Sequence, residues 1–449
     1  MTSAQAISAI AWIWRVPARH FDVPSAYVRA AKEEGVDIHL YIPDGMNFTS
    51  EELSKHGVST AKDLSLCLER SLYGLKQAGR LWHQLLHATL TNIGYVQCIT
   101  DTCLYYKSDL DGTTLVGTYV NDLLMTGTSK QRVDAFFSQM ACLELKYLGL
   151  AEKFLGMRYL FDANFGYQLH QKATIFELLL KHGLDKANAG RSPMGGEIMD
   201  VDQPGGGVLL PANGPGTPER PTIKTFQSLL GILLWIARCT RPDISFAVHR
   251  ASRRAHAPTI GDFKLAKHIA SYLAGSAGLK LALRCDGEPN FPLPIDCFTD
   301  DDFAGDKQDR KSVSGVIVRI NGMVVGWHCE KQATVALSTA EAEYVAASIG
   351  GKELLGLKEL AGEVGLQVAL PMYMNLDNQA AIKQVENEAS SRRAKQVNVR
   401  LKFIGDYYCK GAIQPTYGTT HDMLADILTK PIPEPKIQAL RATVGLELA

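Results

Sequence analysis

Neither sign of charge predominates in this chain, where 47 Lys and Arg stand against 47 Asp and Glu over 449 residues. No global field therefore points to a polyanion or a membrane surface, and any basic surface must be local. The cysteines lack a pattern. There are nine, an odd number, and none makes a C-x-x-C pair with a second ligand pair at zinc-site spacing, which speaks against both a disulfide scaffold and a zinc ribbon. That usage fits a reducing, intracellular compartment rather than secretion. The longest apolar run, Leu229 to Ala237, falls far short of the roughly 20 residues that cross a bilayer. Ala4 to Trp14 is apolar, but no basic residue precedes Arg15, so it reads as a buried helix and not a signal peptide. No repeat of solenoid period is present.

What is present is an ordinary globular mixture, 46% apolar and 21% charged, long enough for about three domains. Six prolines and two glycine clusters, Gly195-Gly196 and Gly205-Gly206-Gly207, mark 190–221 as a linker, and Gly287, Pro289, Pro292 and Pro294 mark a weaker break. The units so defined are 1–190, 222–285 and 290–440. Within 222–284, ten Lys and Arg face two acids, Asp243 and Asp262. Apolar residues there recur at helical spacing (Phe226, Leu229, Leu230, Leu233), so a helical bundle with a polyanion-facing surface is expected, its compensating acids lying elsewhere.

Residues 295–430 read as alternating β and α. Asn321-Gly322 between two apolar runs, 313–320 and 323–329, is a strong hairpin signal. Ser338 and Glu341 form an S-x-x-E cap for a helix to about Gly365, with Gly350-Gly351 weakening its middle. A strand at 372–376, helices at 378–385 and 392–408, a strand at 413–417 and a helix at 422–429 complete the unit. Asp300 follows an apolar strand, Asp377 ends another, and Asp426 lies on the last helix. Carboxylates so placed can assemble a cluster for two divalent ions, which activate water and stabilise a leaving oxygen in phosphodiester cleavage. Glu341 and Glu343 both offer a helical ligand, but they point about 200° apart, so only one can face such a cluster. Glu341 already serves the cap, which favours Glu343.

In that order F-T-D-D-D-F-A-G-D, V-A-L-S-T-A-E-A-E-Y, L-D-N-Q-A-A-I and L-A-D-I-L-T-K resemble the ribonuclease H domain of copia-type LTR retrotransposon Pol proteins. The resemblance implies a ribonuclease H-like mixed sheet with Asp300, Glu343, Asp377 and Asp426 as ligands of two Mg²⁺ or Mn²⁺ ions, cutting RNA in RNA–DNA hybrids. Asp300 and Asp302 both stand in the family-like D-x-D, and the one nearer the strand, Asp300, is preferred. Lys395-Gln396-Val397-Asn398 departs from the family's K-H-I-D.

Further upstream, two apolar strands flank Asn121-Asp122, by itself an ordinary hairpin. Yet Y-V-N-D-L-L-M-T-G is similar to the Y-V-D-D-L-L hairpin of copia-type reverse transcriptases, and H-F-D-V-P-S-A-Y to the strand bearing the other catalytic aspartate. S-L-Y-G-L-K-Q-A-G-R-L-W and Y-L-G-L-A-E-K-F-L-G resemble two further family blocks, with Gly79 where proline is common. The implied palm is an antiparallel sheet with helices. Asp22 and Asp122 would face metal, Tyr27 would exclude ribonucleotides, and Tyr73, Gly74 and Lys76 would line nucleotide and template. Phe154, Leu155 and Gly156 would support the primer end. L-L-G-I-L-L-W-I-A resembles the thumb helix, placing Gly231 and Trp235 along the minor groove.

Two departures bear on polymerisation. Asn121 stands where the family has aspartate, and only 21 residues precede Asp22, too few for fingers. The expectation is thus an α/β and α+β multidomain fragment, palm, helical thumb and ribonuclease H, with hybrid and template–primer as partners and no membrane. It would be cytoplasmic or particle-associated, with the nuclease competent and the polymerase not. A non-catalytic nucleic-acid-binding remnant, and a chain whose N-terminal half does not fold stably, are the competing readings.

Overall fold

The computed structural model describes residues 2–194, 207–218, 220–285, 287–387 and 398–448. Three main sheets and their helices make up a mixed α/β and α+β architecture. The first is antiparallel. Its strands β1 (Arg19–Asp22), β2 (Val96–Gln97), β3 (Leu104–Asp109), β4 (Gly112–Tyr119), β5 (Asp122–Gly127) and β6 (Lys146–Leu150) lie in the order β2-β3-β4-β5-β1-β6. Helices at Ala78–Asn92 and Lys130–Gln139 bury Trp82, Leu86, Leu90, Val133 and Phe136 with this sheet. A second sheet joins β7 (Lys153–Phe154), β8 (Met157–Asp162) and β9 (Gly166–His170) to β10 (Lys280–Leu283).

The third sheet is mixed. β11 (Ile295–Asp301), β12 (Val313–Ile320) and β13 (Met323–Lys331) form an antiparallel meander, while β14 (Met372–Leu376) and β15 (Ile413–Tyr417) run parallel beyond β11. The turn between β12 and β13 is Asn321-Gly322 with both residues at positive φ, 51° and 79°, the geometry that makes Asn-Gly a hairpin signal. A long helix, Thr339–Glu363, crosses β11 and β12. Gly350 lies where it touches the sheet. A Cβ there would come within 2.6 Å of the Thr299 Cγ2 and 3.1 Å of the Cys297 sulfur, so the glycine that weakens the helix locally is what lets it seat.

One apolar core runs through all three sheets. Helix α1 (Thr2–Ile13) buries Ile7, Ile10 and Trp12 against β4 and β5 of the first sheet, β9 and β10 of the second and β13 of the third. Each such side chain contributes about 1.5–3 kcal/mol. The chain end returns as β16 (Leu446–Glu447), which pairs with β10. The N-terminal half is thus tied into the same core as the C-terminal unit, and no helix among the described residues is long and apolar enough to cross a membrane.

Several expectations change. The described ends of 190–221 pack down: Met194 and Leu210 are buried, Gly190 donates to the Ser271 carbonyl, and Leu210 to that of Pro258. Residues 195–206, with Gly195-Gly196 and Gly205-Gly206-Gly207 up to its last member, lie outside the described residues, as do 388–397 with Lys395-Gln396-Val397. The helix expected at 392–408 is described from Asn398 to Cys409. The helix expected over 422–429 is a five-residue 3-10 turn, Leu424–Leu428. Asp422 closes a separate turn onto Thr419, and Gly315 lets the short turn lie directly on β12, where a Cβ would stand 2.9 Å from the Ala425 carbonyl oxygen.

The segment 222–285 does form helices, at Ile223–Cys239, Ser245–Ser252 and Ile260–Ser276. Its cations are less available than their number suggests. Arg241 is only 1% exposed; it holds the Asp243 carboxylate at 2.8 and 2.7 Å and donates to the Ser276 carbonyl and hydroxyl. Arg253 pairs with Asp306 and Arg284 with Glu447. The compensating acids lie partly within the segment and partly in the C-terminal unit, leaving Lys224, Arg238 and Lys264 fully on the surface.

Candidate functional site

The strand ends of the third sheet bring three carboxylates together. Asp300 sits in the last turn of pleat of β11, Glu343 in the second turn of the helix opened by Ser338, and Asp377 directly after β14. One ligand oxygen from each lies within 4.8 Å of the other two. Ser338 accepts the Glu341 N–H, and the Glu341 carboxylate accepts the Leu337 N–H at 2.7 Å. The cap therefore turns Glu341 outward and Glu343 inward, where it is 6% exposed. Asp302 is used otherwise, accepting the Val313 N–H at 2.6 Å.

Burying like charges pushes Glu343, Asp300 and Asp301 toward their neutral forms. Burial, then the charges of Asp301, Asp300 and Asp377, drive Glu343 up to about 11. Burial and the Asp426 charge raise Asp300 to about 7 against the pull of Lys430. Burial raises Asp301 to about 6. Asp301, which sequence reasoning did not single out, accepts the Phe303 N–H and lies against Glu343. The Glu343 Oε2 atom is buried with no hydrogen-bond partner. An all-oxygen donor set with an orphaned carboxylate oxygen fits a hard divalent cation of the Mg²⁺ or Mn²⁺ kind.

Asp426 joins the group only indirectly. It is 1% exposed, and its Oδ1 is held by the Lys430 ammonium at 2.8 Å while its Oδ2 is held by Lys436. Against the effect of burial, those two lysines hold its carboxyl below the usual range. Lys430 also reaches Asp300 Oδ1 at 3.0 Å, and the Thr429 hydroxyl donates to Asp300 Oδ2. The cluster opens into a cavity of about 730 Å³ whose wall includes Phe246 and Arg250 of the helix at Ser245–Ser252. Lys430 ends the L-A-D-I-L-T-K stretch, but nothing local in the sequence shows that it, Lys436 or Arg250 reaches this site. Their approach is set by how the last turn and the basic helix pack on β11.

The first sheet brings together a second acidic pair. Asp22 and Asp122 face each other across β1 and β5. The hairpin turn is one residue earlier than expected, at Val120-Asn121, with Tyr119 opposite Asp122. Val120 is at φ 54°, a conformation a β-branched residue rarely adopts, and its carbonyl accepts the buried Trp82 indole N–H at 2.6 Å. The turn presents Asn121 to Asp22, with the amide Nδ2 2.5 Å from Asp22 Oδ1. His20 Nε2 lies 2.7 Å from Asp122 Oδ1. Among the described residues this pair does not form a three-ligand metal group.

The remaining sequence candidates cluster in twos. Tyr27 and Tyr73 pack ring to ring, centroids 4.6 Å apart, while Gly74 and Lys76 are exposed beside Tyr73. Buried Phe154 meets the His20 ring edge-on. Leu155 and Gly156 make the tight β7–β8 turn at φ 51° and 74°. Trp235 lies over that turn, since a Cβ on Gly156 would approach its indole nitrogen to 3.2 Å. Gly231 is exposed on the same helix, with open space around it.

Comparisons with known proteins fit this layout. Residues 1–195 match the family described as "Reverse transcriptase (RNA-dependent DNA polymerase)". The chain is 29% identical over 458 residues to the retrovirus-related Pol polyprotein from transposon TNT 1-94 of Nicotiana tabacum, covering 99% of this chain and 32% of that protein. It is 29% identical to the Pol polyprotein from transposon RE1 of Arabidopsis thaliana, covering 99% and 28%. The chain thus spans about a third of the length of these relatives. Among solved structures, a foamy viral protease–reverse transcriptase in complex with RNA/DNA hybrid aligns at 13% identity and a TM-score of 0.42, covering 93% of this chain and 45% of that one.

Proposed function

We propose, for a chain that belongs to the Pol polyproteins of copia-type retrotransposons, that its third sheet carries a metal-dependent nuclease acting on RNA–DNA hybrid. The observation that carries this reading is the trio Asp300, Glu343 and Asp377 gathered at one cavity, with one buried Glu343 oxygen left unpartnered. These three would hold the ion. A bound divalent cation supplies activation of water and neutralisation of charge at the scissile phosphate. The chain's own cations on the cavity wall, Lys430 and Arg250, offset the charge of an acidic pocket that would otherwise repel a phosphodiester.

The palm supports binding without polymerisation. Asn121 brings an N–H donor to Asp22 where a third carboxylate would bring charge, and His20 engages Asp122. Tyr27, Tyr73, Gly74 and Lys76, with Phe154 to Gly156, Gly231 and Trp235, are then contacts to template, primer and minor groove.

The test is cleavage of a hybrid labelled on its RNA strand, by the full chain with Mg²⁺ or Mn²⁺. We expect the RNA to be cut and double-stranded DNA left intact, with Asp377→Asn reducing the rate by at least about 100-fold, as expected when a metal ligand is lost. Cleavage retained in Asp377→Asn overturns the assignment. Hybrid binding with no cleavage by the wild type in any metal leaves the non-catalytic reading in its place.

A further inference from the structure

Lys430 places a cation between two carboxylates of the C-terminal site. Its ammonium lies 3.0 Å from Asp300 Oδ1 and 2.8 Å from Asp426 Oδ1. Both oxygens of Asp426 are engaged by cations, because Lys436 from the last helix holds the other one. The arrangement is built in, not incidental. Lys430 follows Asp426 by four residues, and its backbone N–H bonds to the Asp426 carbonyl at 3.1 Å, so the 3-10 turn itself fixes the spacing. Asp426 is 1% exposed, and a buried carboxylate stripped of its cations would be strongly unfavourable. The Lys430 side chain nevertheless keeps 38% of its surface open and lines the cavity.

We propose that Lys430 is a resident cation of this site. Asp300, Glu343 and Asp377 take a single divalent ion, Asp426 is a positioning residue for Lys430 and not a metal ligand, and the Lys430 ammonium is left to meet a substrate phosphate in the cavity. The inference rests on the nuclease reading for the identity of the substrate, but the ion count it requires is measurable without any substrate. A compact, strongly hydrated ammonium with three donors can serve Asp300, Asp426 and a phosphate oxygen at once.

The experiment is a Mn²⁺ titration of the full chain, free Mn²⁺ being read by electron paramagnetic resonance. Ions bound at this site are counted as those lost on Asp300→Asn, which cancels any bound elsewhere. We expect one in the wild type, one in Asp426→Asn, one in Lys430→Arg and two in Lys430→Met, where the Asp300 and Asp426 oxygens become free. Melting curves of each variant show that the fold persists. Two ions in the wild type, or loss of an ion in Asp426→Asn, overturns the proposal even if Lys430→Met does not fold. No ion at the site in any form overturns the nuclease reading itself, so the two failures are distinguishable.

Discussion

The molecule holds two acidic centres at strand ends, and they differ in what surrounds the carboxylates. At Asp22 and Asp122 each acid meets a donor from its own neighbourhood, the Asn121 amide and the His20 ring. At Asp300, Glu343 and Asp377 the acids crowd one another; Asp300 also meets Lys430 and the Thr429 hydroxyl, but one Glu343 oxygen meets nothing. The first centre has its charge answered by neutral or titratable protein groups. The second crowds its acids together, with Lys430 in contact with Asp300 and Arg250 on the cavity wall as the cations beside them. A metal adds little where carboxylates are already satisfied, and much where they are crowded and dry. Residue type alone does not separate the two sites; the partners do.

The strongest way to break this comparison is Glu343→Gln. The amide keeps the shape and removes the charge that an ion would answer. We expect metal-dependent cleavage of hybrid to fall by at least about 100-fold while the metal-free protein becomes more stable by about 1–3 kcal/mol. The gain arises because wild-type folding must bury this carboxyl in its protonated form near neutral pH. Cleavage assays and denaturant melts in chelator check the two halves. A variant less stable than wild type and still active would mean that Glu343 is a structural residue.

The next way is to make the palm resemble the other centre. Asn121→Asp replaces a donor facing Asp22 with a second acid. We expect Mn²⁺ affinity attributable to the palm to rise by at least about 10-fold, in line with what neighbouring groups contribute at metal sites. Primer extension on an RNA template is expected to be absent in the wild type. The Nδ2 orientation toward Asp22 is the one that makes a hydrogen bond, and turning the amide oxygen toward a metal would break it. Extension by the wild type would show that the amide oxygen serves as a ligand all the same.

How far the sequence foretold these centres follows from the range of the forces involved. Asn321-Gly322 and the Ser338 cap are local, and turn and cap chemistry alone locates the hairpin and the start of the long helix. The choice of Glu343 over Glu341 was legible for the same reason, since helix geometry puts them on different faces and the cap takes one of them. Lys430, Asp301 and His20 stand within family-like stretches, but their roles and that of Lys436 were not legible, because they depend on a turn docking on β12, a helix start packing beside it and strand pairing across about a hundred residues. The excess of cations in 222–284 misled in part. Counting charges cannot reveal that Arg241 lies in the core beside Asp243, or that Arg253 and Arg284 reach acids far along the chain. Gly350 misled in the opposite sense, as a helix-weakening residue whose use appears only with the sheet against it.

The smallest expected effect is a pH dependence confined to one centre. Asp300 and Asp301 have carboxyls raised to about 7 and about 6, and Glu343 is raised further. A group raised in the folded state binds its proton more tightly there than in the unfolded chain. Its contribution to stability is complete below the unfolded value, near 4, and is lost progressively as pH climbs through the folded value. In chelator, the melting temperature should therefore fall between pH 5 and pH 7, relative to Asp300→Asn over the same range. The difference should amount to about 1–3 kcal/mol at the upper end, at roughly 1.4 kcal/mol per pH unit for each proton retained. Saturating Mg²⁺ should reverse the trend, since ion binding to the ionised trio strengthens as the protons leave. If the wild type and Asp300→Asn give the same slope in chelator, crowding at the third sheet does not hold protons on its acids.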